Sequence, residues 1–351
     1  MKRRLLEIVC CPVCGKSLVC TEARLEVDME ILEGELRCGK DHSFPISAGV
    51  PRLLPLHLTS DAQGVTSEPP PVSKSDATLK KTMRSFGYQW NVFSEMYPDW
   101  EENSKSYFDP LVEDRDFGEK LILDAGCGFG RHAHYVAKRG GEVVAMDISE
   151  AVAAAHRNTQ DLDNVHVVQG DIYNPPLKPF FDLAYCIGVI QHLPTPKVGF
   201  GALAKLVKPK GGLFVWVYGK RRGVYLAIDF MRKGSTHLPM RVLYHFTFLL
   251  NILSHVCFSL PYKTLRAIPL CERLAAAWPF TRYADLPMRV GHADWFDRLS
   301  VPSTVYFSRE EVGKWYAEAK LIELEIVSRD GIGWCAFGKR AGVAKDARST
   351  S

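Results

Sequence analysis

The 351-residue chain has little net charge: 44 Lys and Arg stand against 40 Asp and Glu, a balance of +4. Such a balance does not by itself imply a nucleic-acid or anionic-membrane partner. The opening MKRRLLEIVCCPVC has a basic start but no uninterrupted apolar stretch, because Glu7 follows Leu5 and Leu6 and cysteines come at once. This predicts no export signal and a cytoplasmic protein. No internal repeat is visible. A G-x-G-x-x-G loop for a pyrophosphate is missing as well, and no hydride-transfer pair stands out, so a dinucleotide oxidoreductase is the weakest reading. With 46% hydrophobic and 24% charged residues, the chain is neither disordered nor generally membrane-embedded. Its length suits about two domains.

The cysteines that are present are unevenly placed. Cys10, Cys11, Cys14, Cys20 and Cys38 crowd the beginning, whereas Cys127, Cys186, Cys257, Cys271 and Cys335 are scattered, which suggests one metal site plus buried thiols. Cys11-Pro-Val-Cys14-Gly is a knuckle whose two thiolates can reach one tetrahedral ion, with Gly15 allowing the tight turn. After 23 residues, Cys38-Gly-Lys-Asp-His42 offers a second pair. Cys11, Cys14, Cys38 and His42 are therefore the expected ligands of a closed, structural zinc site, with Cys10 or Cys20 as alternatives to His42. So small a module needs its metal to fold.

Composition divides the chain. Residues 1–57 read as a small β-rich module, and the polar, Pro- and Ser-rich stretch 58–81 as an exposed linker. Within 82–219, LILDAG, EVVAMD, VHVVQG, FDLAYCIG and GLFVWVYG are nearly continuous apolar runs of the kind buried in a parallel sheet, with helical patterns between them. The fold class is thus α/β, a doubly wound Rossmann-like sheet that binds its ligand at the strands' carboxyl ends. Residues 220–291 read as a helical insertion, and 292–340 as a closing helix and two strands, with Ser308 and Glu311 at capping-box spacing.

LILDAGCGFG places Asp124, Gly126, Gly128 and Gly130 where the first strand turns into a helix. An acid there would repel pyrophosphate and favours a cationic or zwitterionic ligand. Asp147 ends the second strand, where a carboxylate can accept bonds from ribose hydroxyls, and Asp171 with the backbone of Ile172 meets a base edge at the third. Cys127, Ile148 and Cys186 complete the candidate cofactor-binding set. His192, just past the fourth strand, is the candidate catalytic base. Tyr88, Trp90 and Phe93 are expected to cover cofactor or acceptor.

These motifs, from about Phe86 to Gly219, resemble class I S-adenosylmethionine-dependent methyltransferases. The resemblance implies that Gly126, Cys127 and Gly128 line the methionine part, Asp147 holds the ribose and Asp171 approaches the adenine amino group. FDLAYCIGVIQHLP matches the family's fourth motif; where [DNS]-P-P-[YF] would mark methylation of planar amides, CIGVIQHLP stands instead. Residues 5–55 look like the zinc ribbon that precedes some bacterial methyltransferases and also occurs as a separate activator subunit. Their Cys-Cys-Cys-His form is similar to the ribbon of bacterial large-subunit rRNA guanine methyltransferases.

Between Arg241 and Lys263 lie 21 residues with no acid, Lys or Arg. They are long enough for a membrane span, but crossing would strand the closing strands on the far side of the bilayer. A lid over an apolar acceptor, or a membrane-surface or subunit contact through 242–262, remains. Asp294, Trp295 and Asp297 are acceptor-side candidates. The leading expectation is methyl transfer to O, N or C of a small-molecule or cell-envelope or natural-product intermediate with apolar character. The alternatives are an rRNA or tRNA methyltransferase gripping RNA with its ribbon, and a binding protein that recruits a partner. Opposing the first alternative, Glu22, Glu26, Asp28, Glu30, Glu33 and Glu35 offset the ribbon's basic residues.

Overall fold

The computed structural model describes residues 1–55, 58, 74–97, 99–109, 111–220, 224–278, 284–329 and 331–342. They fall into two compact units, one within 1–221 and 303–351 and the other within 222–302.

The first unit opens with an antiparallel meander of β1 (Leu18–Val27), β2 (Glu30–Cys38), β3 (Ser43–Ser47) and β4 (Val50–Pro51), paired in that order. Four short strands cannot enclose a core of their own. Leu5, Ile8, Ile31, Leu36 and Ile46 instead join one apolar cluster that continues through Leu123, Val144 and Phe200. Main-chain bonds cross the same boundary: Cys10 N donates to Pro176 O, Lys178 N to Ile8 O and Leu53 N to Gln169 O, each at 2.9 Å. Around the rim, Arg4 pairs with Glu142 at 2.9 Å and Arg52 with Glu150 at 3.0 Å.

After helices α1 (Lys74–Val92) and α2 (Trp100–Phe108) comes a sheet of β5 (Leu121–Ala125), β6 (Glu142–Asp147), β7 (Val165–Gln169), β8 (Phe181–Ile187), β9 (Val207–Tyr218), β10 (Leu321–Arg329) and β11 (Gly333–Arg340). Its order is β10-β11-β9-β8-β5-β6-β7. Strands β5 to β9 run parallel, and β11 lies antiparallel to both its neighbours. Apolar clusters cover the sheet on two sides, which is why β5 and β7 are buried at every position and read as largely apolar runs. Between the strands run α3 (Arg131–Ala137), α4 (Ala151–Thr159) and α5 (Pro196–Leu206). Strand order reverses beside β5, so the crevice for a ligand opens at its carboxyl end.

The second unit contains α6 (Val224–Ser235), α7 (Met240–Ser254), a π-helical turn (His255–Ser259), α8 (Leu260–Arg266), α9 (Glu272–Ala276) and α10 (Met288–Ser300). Arg232 Nε donates to Arg298 O at 2.9 Å and Ser235 Oγ to Leu299 O at 2.7 Å, tying α6 to α10. The insertion therefore extends beyond its expected end at 291, because residues 288–300 are one helix packed inside this unit. The linker boundary also moves: 74–81 belong to α1, and 59–73 lie outside the described residues. Helix α11 (Arg309–Glu318) returns to the first unit with the expected capping box, Ser308 Oγ accepting from Glu311 N at 3.2 Å and Glu311 accepting from Ser308 N at 2.6 Å.

Phe108 anchors α2 against the sheet: it is 1% exposed, and its ring packs 5.1 Å from Tyr185, 5.2 Å from Phe117 and 5.5 Å from Phe214. Phe108→Ala is expected to destabilise the first unit by about 3–5 kcal/mol. Urea unfolding should show a lowered midpoint at unchanged slope.

Candidate functional site

Three acids lie at the carboxyl ends of adjacent strands. Parallel register sets Asp124 opposite Ala145, and Asp147 opposite Gln169, with Asp171 two residues further on. The glycine loop follows Asp124. Gly126 and Gly128 have φ of +85° and +54°, and a Cβ on Gly126 would come 2.3 Å from Val189. A side chain there is excluded twice, by conformation and by space. A Cβ on Gly128 would lie 3.3 Å from the Trp90 indole nitrogen, so Trp90 covers this loop. Gly130 then caps α3.

Asp147 is buried, which raises its pKa, but its oxygens are occupied: Oδ1 accepts from Ser149 N at 2.8 Å and Ser149 Oγ at 2.7 Å, and Oδ2 from Gly128 N at 3.0 Å. It braces the glycine loop through Gly128. Asp124 is in the opposite condition. It is 2% exposed, its Oδ2 has no hydrogen-bond partner among the described residues, and burial pushes its carboxyl up to about 8 although Tyr185 on β8 and the charge of Arg131 oppose this. A carboxyl so desolvated fits a cationic ligand group such as an ammonium.

The other expected residues are placed as follows. Asp171 Oδ1 accepts from Tyr173 N at 2.9 Å, with Ile172 buried beside it. Cys127 is buried in the loop and donates its amide to Met146 O at 3.0 Å. Ile148 is half-buried and gives its carbonyl to Gln169 Nε2 at 3.1 Å. Cys186 is fully buried in the apolar core opposite Val215, and burial pushes its thiol far up. Phe93 is buried and Tyr88 half-buried on α1. Asp294, Trp295 and Asp297 lie on α10, in the second unit, where Asp294 pairs with Arg298 at 3.1 Å and Trp295 Nε1 donates to Ser254 Oγ at 3.0 Å.

His192 is 3% exposed, just past β8. Its Nδ1 lies 3.1 Å from Ser303 O and 3.3 Å from Thr304 Oγ1. A carbonyl acceptor there fixes the proton on Nδ1 and leaves the lone pair on Nε2, the form a base requires. Phe86 and Tyr218 meet its ring edge-on at 5.3 and 5.9 Å, and Trp216 meets Tyr218 at 5.1 Å. Sequence reasoning missed Gln191. It is 0% exposed and neither side-chain amide atom has a hydrogen-bond partner. The buried Trp216 indole nitrogen is also without one. The only signal was one amide residue inside the apolar run IGVIQHLP.

In the β1–β4 module, one donor atom from each of Cys11, Cys14, Cys38 and His42 lies within 4.8 Å of the rest. Nearest pairs are Cys38 Sγ to His42 Nδ1 at 3.3 Å, Cys11 Sγ to His42 Nδ1 at 3.4 Å and Cys14 Sγ to Cys38 Sγ at 3.7 Å. Tetrahedral coordination with bonds of about 2.3 Å needs edges of roughly 3.7 Å, so the set fits one ion. Lys40 N donates to Cys38 Sγ at 3.4 Å, a bond that supports a thiolate. Cys20 Sγ turns to Glu22 O, and Cys10 is outside the cluster.

Residues 123–215 match the family model described as a methyltransferase domain, and residues 2–49 match that of Trm112p-like proteins. Residues 123–215 thus carry an S-adenosylmethionine-dependent methyltransferase domain on the doubly wound sheet. The chain joins that domain to an N-terminal Trm112-like domain. Among curated relatives, a ubiquinone biosynthesis O-methyltransferase of Hydrogenovibrio crunogenus is 27% identical over 178 residues, 47% of this chain and 74% of the relative. One from Alkalilimnicola ehrlichii is 34% identical over 30% of this chain and 45% of its own length. For most such relatives, the chain spans less than two thirds of their length. A solved magnesium protoporphyrin IX methyltransferase from Synechocystis is 16% identical, with a TM-score of 0.45 over 77% of this chain and all of that one.

Because Asp124 is held at about 8, most molecules carry it protonated at pH 7, whereas an ammonium ligand needs the carboxylate. Binding of S-adenosylmethionine at pH 7 should therefore release a proton, and affinity should rise as pH climbs toward 8. Calorimetry in buffers of different ionisation enthalpy reads this release. Asp124→Asn should abolish it and weaken binding about tenfold to a hundredfold.

Proposed function

We propose that the chain methylates a small-molecule acceptor of apolar, planar character, at oxygen in preference to nitrogen or carbon. The observation that carries this is a buried histidine in the base-competent tautomer, set among aromatic rings next to the glycine loop. That relatives are named as O-methyltransferases supports an oxygen acceptor.

S-adenosylmethionine, when bound, supplies the methyl group of its sulfonium. Asp124 would take its ammonium, the glycine loop would lie against the methionine part, Asp147 would hold the ribose and Asp171 the adenine amino group. His192 Nε2 would accept the hydroxyl proton as the acceptor oxygen attacks the methyl carbon, while Ser303 O steadies the imidazolium through Nδ1. The Gln191 amide would give the acceptor one donor and one acceptor of hydrogen bonds. Phe86, Trp216 and Tyr218 would align a flat ring and keep water out, the main requirement for an in-line transfer from a reactive donor.

The same reading gives Cys11, Cys14, Cys38 and His42 a structural zinc ion. A cytoplasmic setting belongs to the same proposal, since a reducing compartment keeps the Cys11, Cys14 and Cys38 thiolates available to the metal. RNA as acceptor has less support, since residues 1–55 hold eight basic and eight acidic residues. Arg3 and Arg37 are paired with Glu26 and Glu35 at 2.8 and 2.5 Å.

Protein incubated with methyl-labelled S-adenosylmethionine and, in parallel, host RNA or a small-molecule and lipid extract should label an extractable compound. Label in RNA would replace this reading with the second. His192→Ala should lower kcat by about 10²–10⁴ with cofactor affinity unchanged, measured by single-turnover transfer and calorimetry. Full activity would leave His192 a structural residue. Chelation should release one zinc per chain and unfold the β1–β4 meander, seen as loss of amide protection there.

A further inference from the structure

Helix α7 is built inside out. Its inward positions Leu243, Thr247 and Asn251 are buried, and two of the three are polar. Thr247 Oγ1 lies 3.2 Å from His292 Nε2, and Asn251 Nδ2 donates to Met288 O at 2.8 Å, both on α10. The outward positions are apolar. Val242, Phe246, Leu249, Leu253, Val256 and Leu260 follow at intervals of four and three, a single stripe along the helix, and every one is exposed, Leu249 by 63% and Leu253 by 57%. Met240–Arg266 forms one helix of 27 residues, long and apolar enough by length and composition to cross a bilayer, yet only 22% of its apolar window is buried.

Charge decides what covers this stripe. No acid occurs from Phe230 to Cys271, and the stripe is bracketed by exposed Arg241 at one end and exposed Lys263 at the other. Residues 222–302 carry ten Lys and Arg against five Asp and Glu, so they hold all of the chain's positive balance. Two copies joined along the stripe would set like charges together in either orientation. An anionic lipid surface meets both features at once, its headgroups pairing with Arg241 and Lys263 and its acyl boundary accepting the stripe. Spanning is excluded by α10, which packs along α7 and carries Arg289, Asp294, Asp297 and Arg298.

We infer that the second unit is a monotopic membrane-docking module, with α7 and α8 lying in the plane of an anionic leaflet. The inference is independent of methyl transfer and is tested without cofactor or acceptor. The full chain is floated with phosphatidylcholine vesicles with and without phosphatidylglycerol, at low and high salt, and its mass in solution is followed by sedimentation velocity. Wild type should float with the anionic vesicles and lose most of that binding in salt. The double variant Leu249→Glu/Leu253→Glu should stay in solution with both, and the milder Leu249→Ser/Leu253→Ser should bind more weakly while keeping the native circular dichroism. Arg241→Glu/Lys263→Glu should cut anionic binding by about tenfold or more. Failure of wild type to float, or floating that the stripe variants leave unchanged, overturns the inference. A dimer that the stripe variants dissociate, with no vesicle binding, would assign the face to a second copy instead.

Discussion

A buried carboxylate holds the catalytic edge together. Asp147 has left water, an arrangement that is tolerable only because three donors meet it, from Gly128 and from the amide and hydroxyl of Ser149. These bonds join the end of β6 to the turn leaving β5. That turn in turn places the start of α3 and meets the indole of Trp90 at Gly128. The two acids differ: the oxygens of Asp147 are occupied by hydrogen bonds, whereas Asp124 is desolvated with its Oδ2 unpartnered among the described residues.

Much of this was legible in the sequence because it is local. The parallel strands are mostly buried on both faces and so read as nearly continuous apolar runs, and the acids sit at or just past the ends of three of them. The two ligand pairs of the cysteine cluster are equally local, being set by turns of two and three intervening residues. His42 was likewise expected as the fourth ligand; what the sequence left open was Cys10 or Cys20 in its place, and these fall away because Cys20 Sγ turns to Glu22 O and Cys10 lies outside the cluster. Gln191 escaped, since burial without a partner is a property of the packed molecule. Two boundaries slipped where composition and structure part company. The polar start of α1 looks like linker because its buried positions, Leu79, Thr82 and Ser85, are few and mostly polar. Helix α10 runs on through Gly291, the point where the sequence had suggested an end, because its packing within the second unit outweighs the glycine.

The β1–β4 meander is less a separate domain than an additional layer of the main one. Its apolar side chains belong to the same cluster as the face of the main sheet, and Leu53 extends the hydrogen bonding at Gln169, where β7 would otherwise present a bare edge. The helical unit differs in kind: around buried Leu243, Phe296 and Leu299 its helix α7 also turns Thr247 and Asn251 inward and leaves an apolar stripe outward.

The junction at Gln169 also fixes an order of events during synthesis. The meander leaves the ribosome more than a hundred residues before β7, the strand it completes, has been made. Until then Leu5, Ile8 and Leu53 have no sheet to pack on, and the nascent chain must carry them unprotected. The meander, though made before the strand it completes, is thus among the last segments to reach its final surroundings, and holdase chaperones have a long opportunity to bind it.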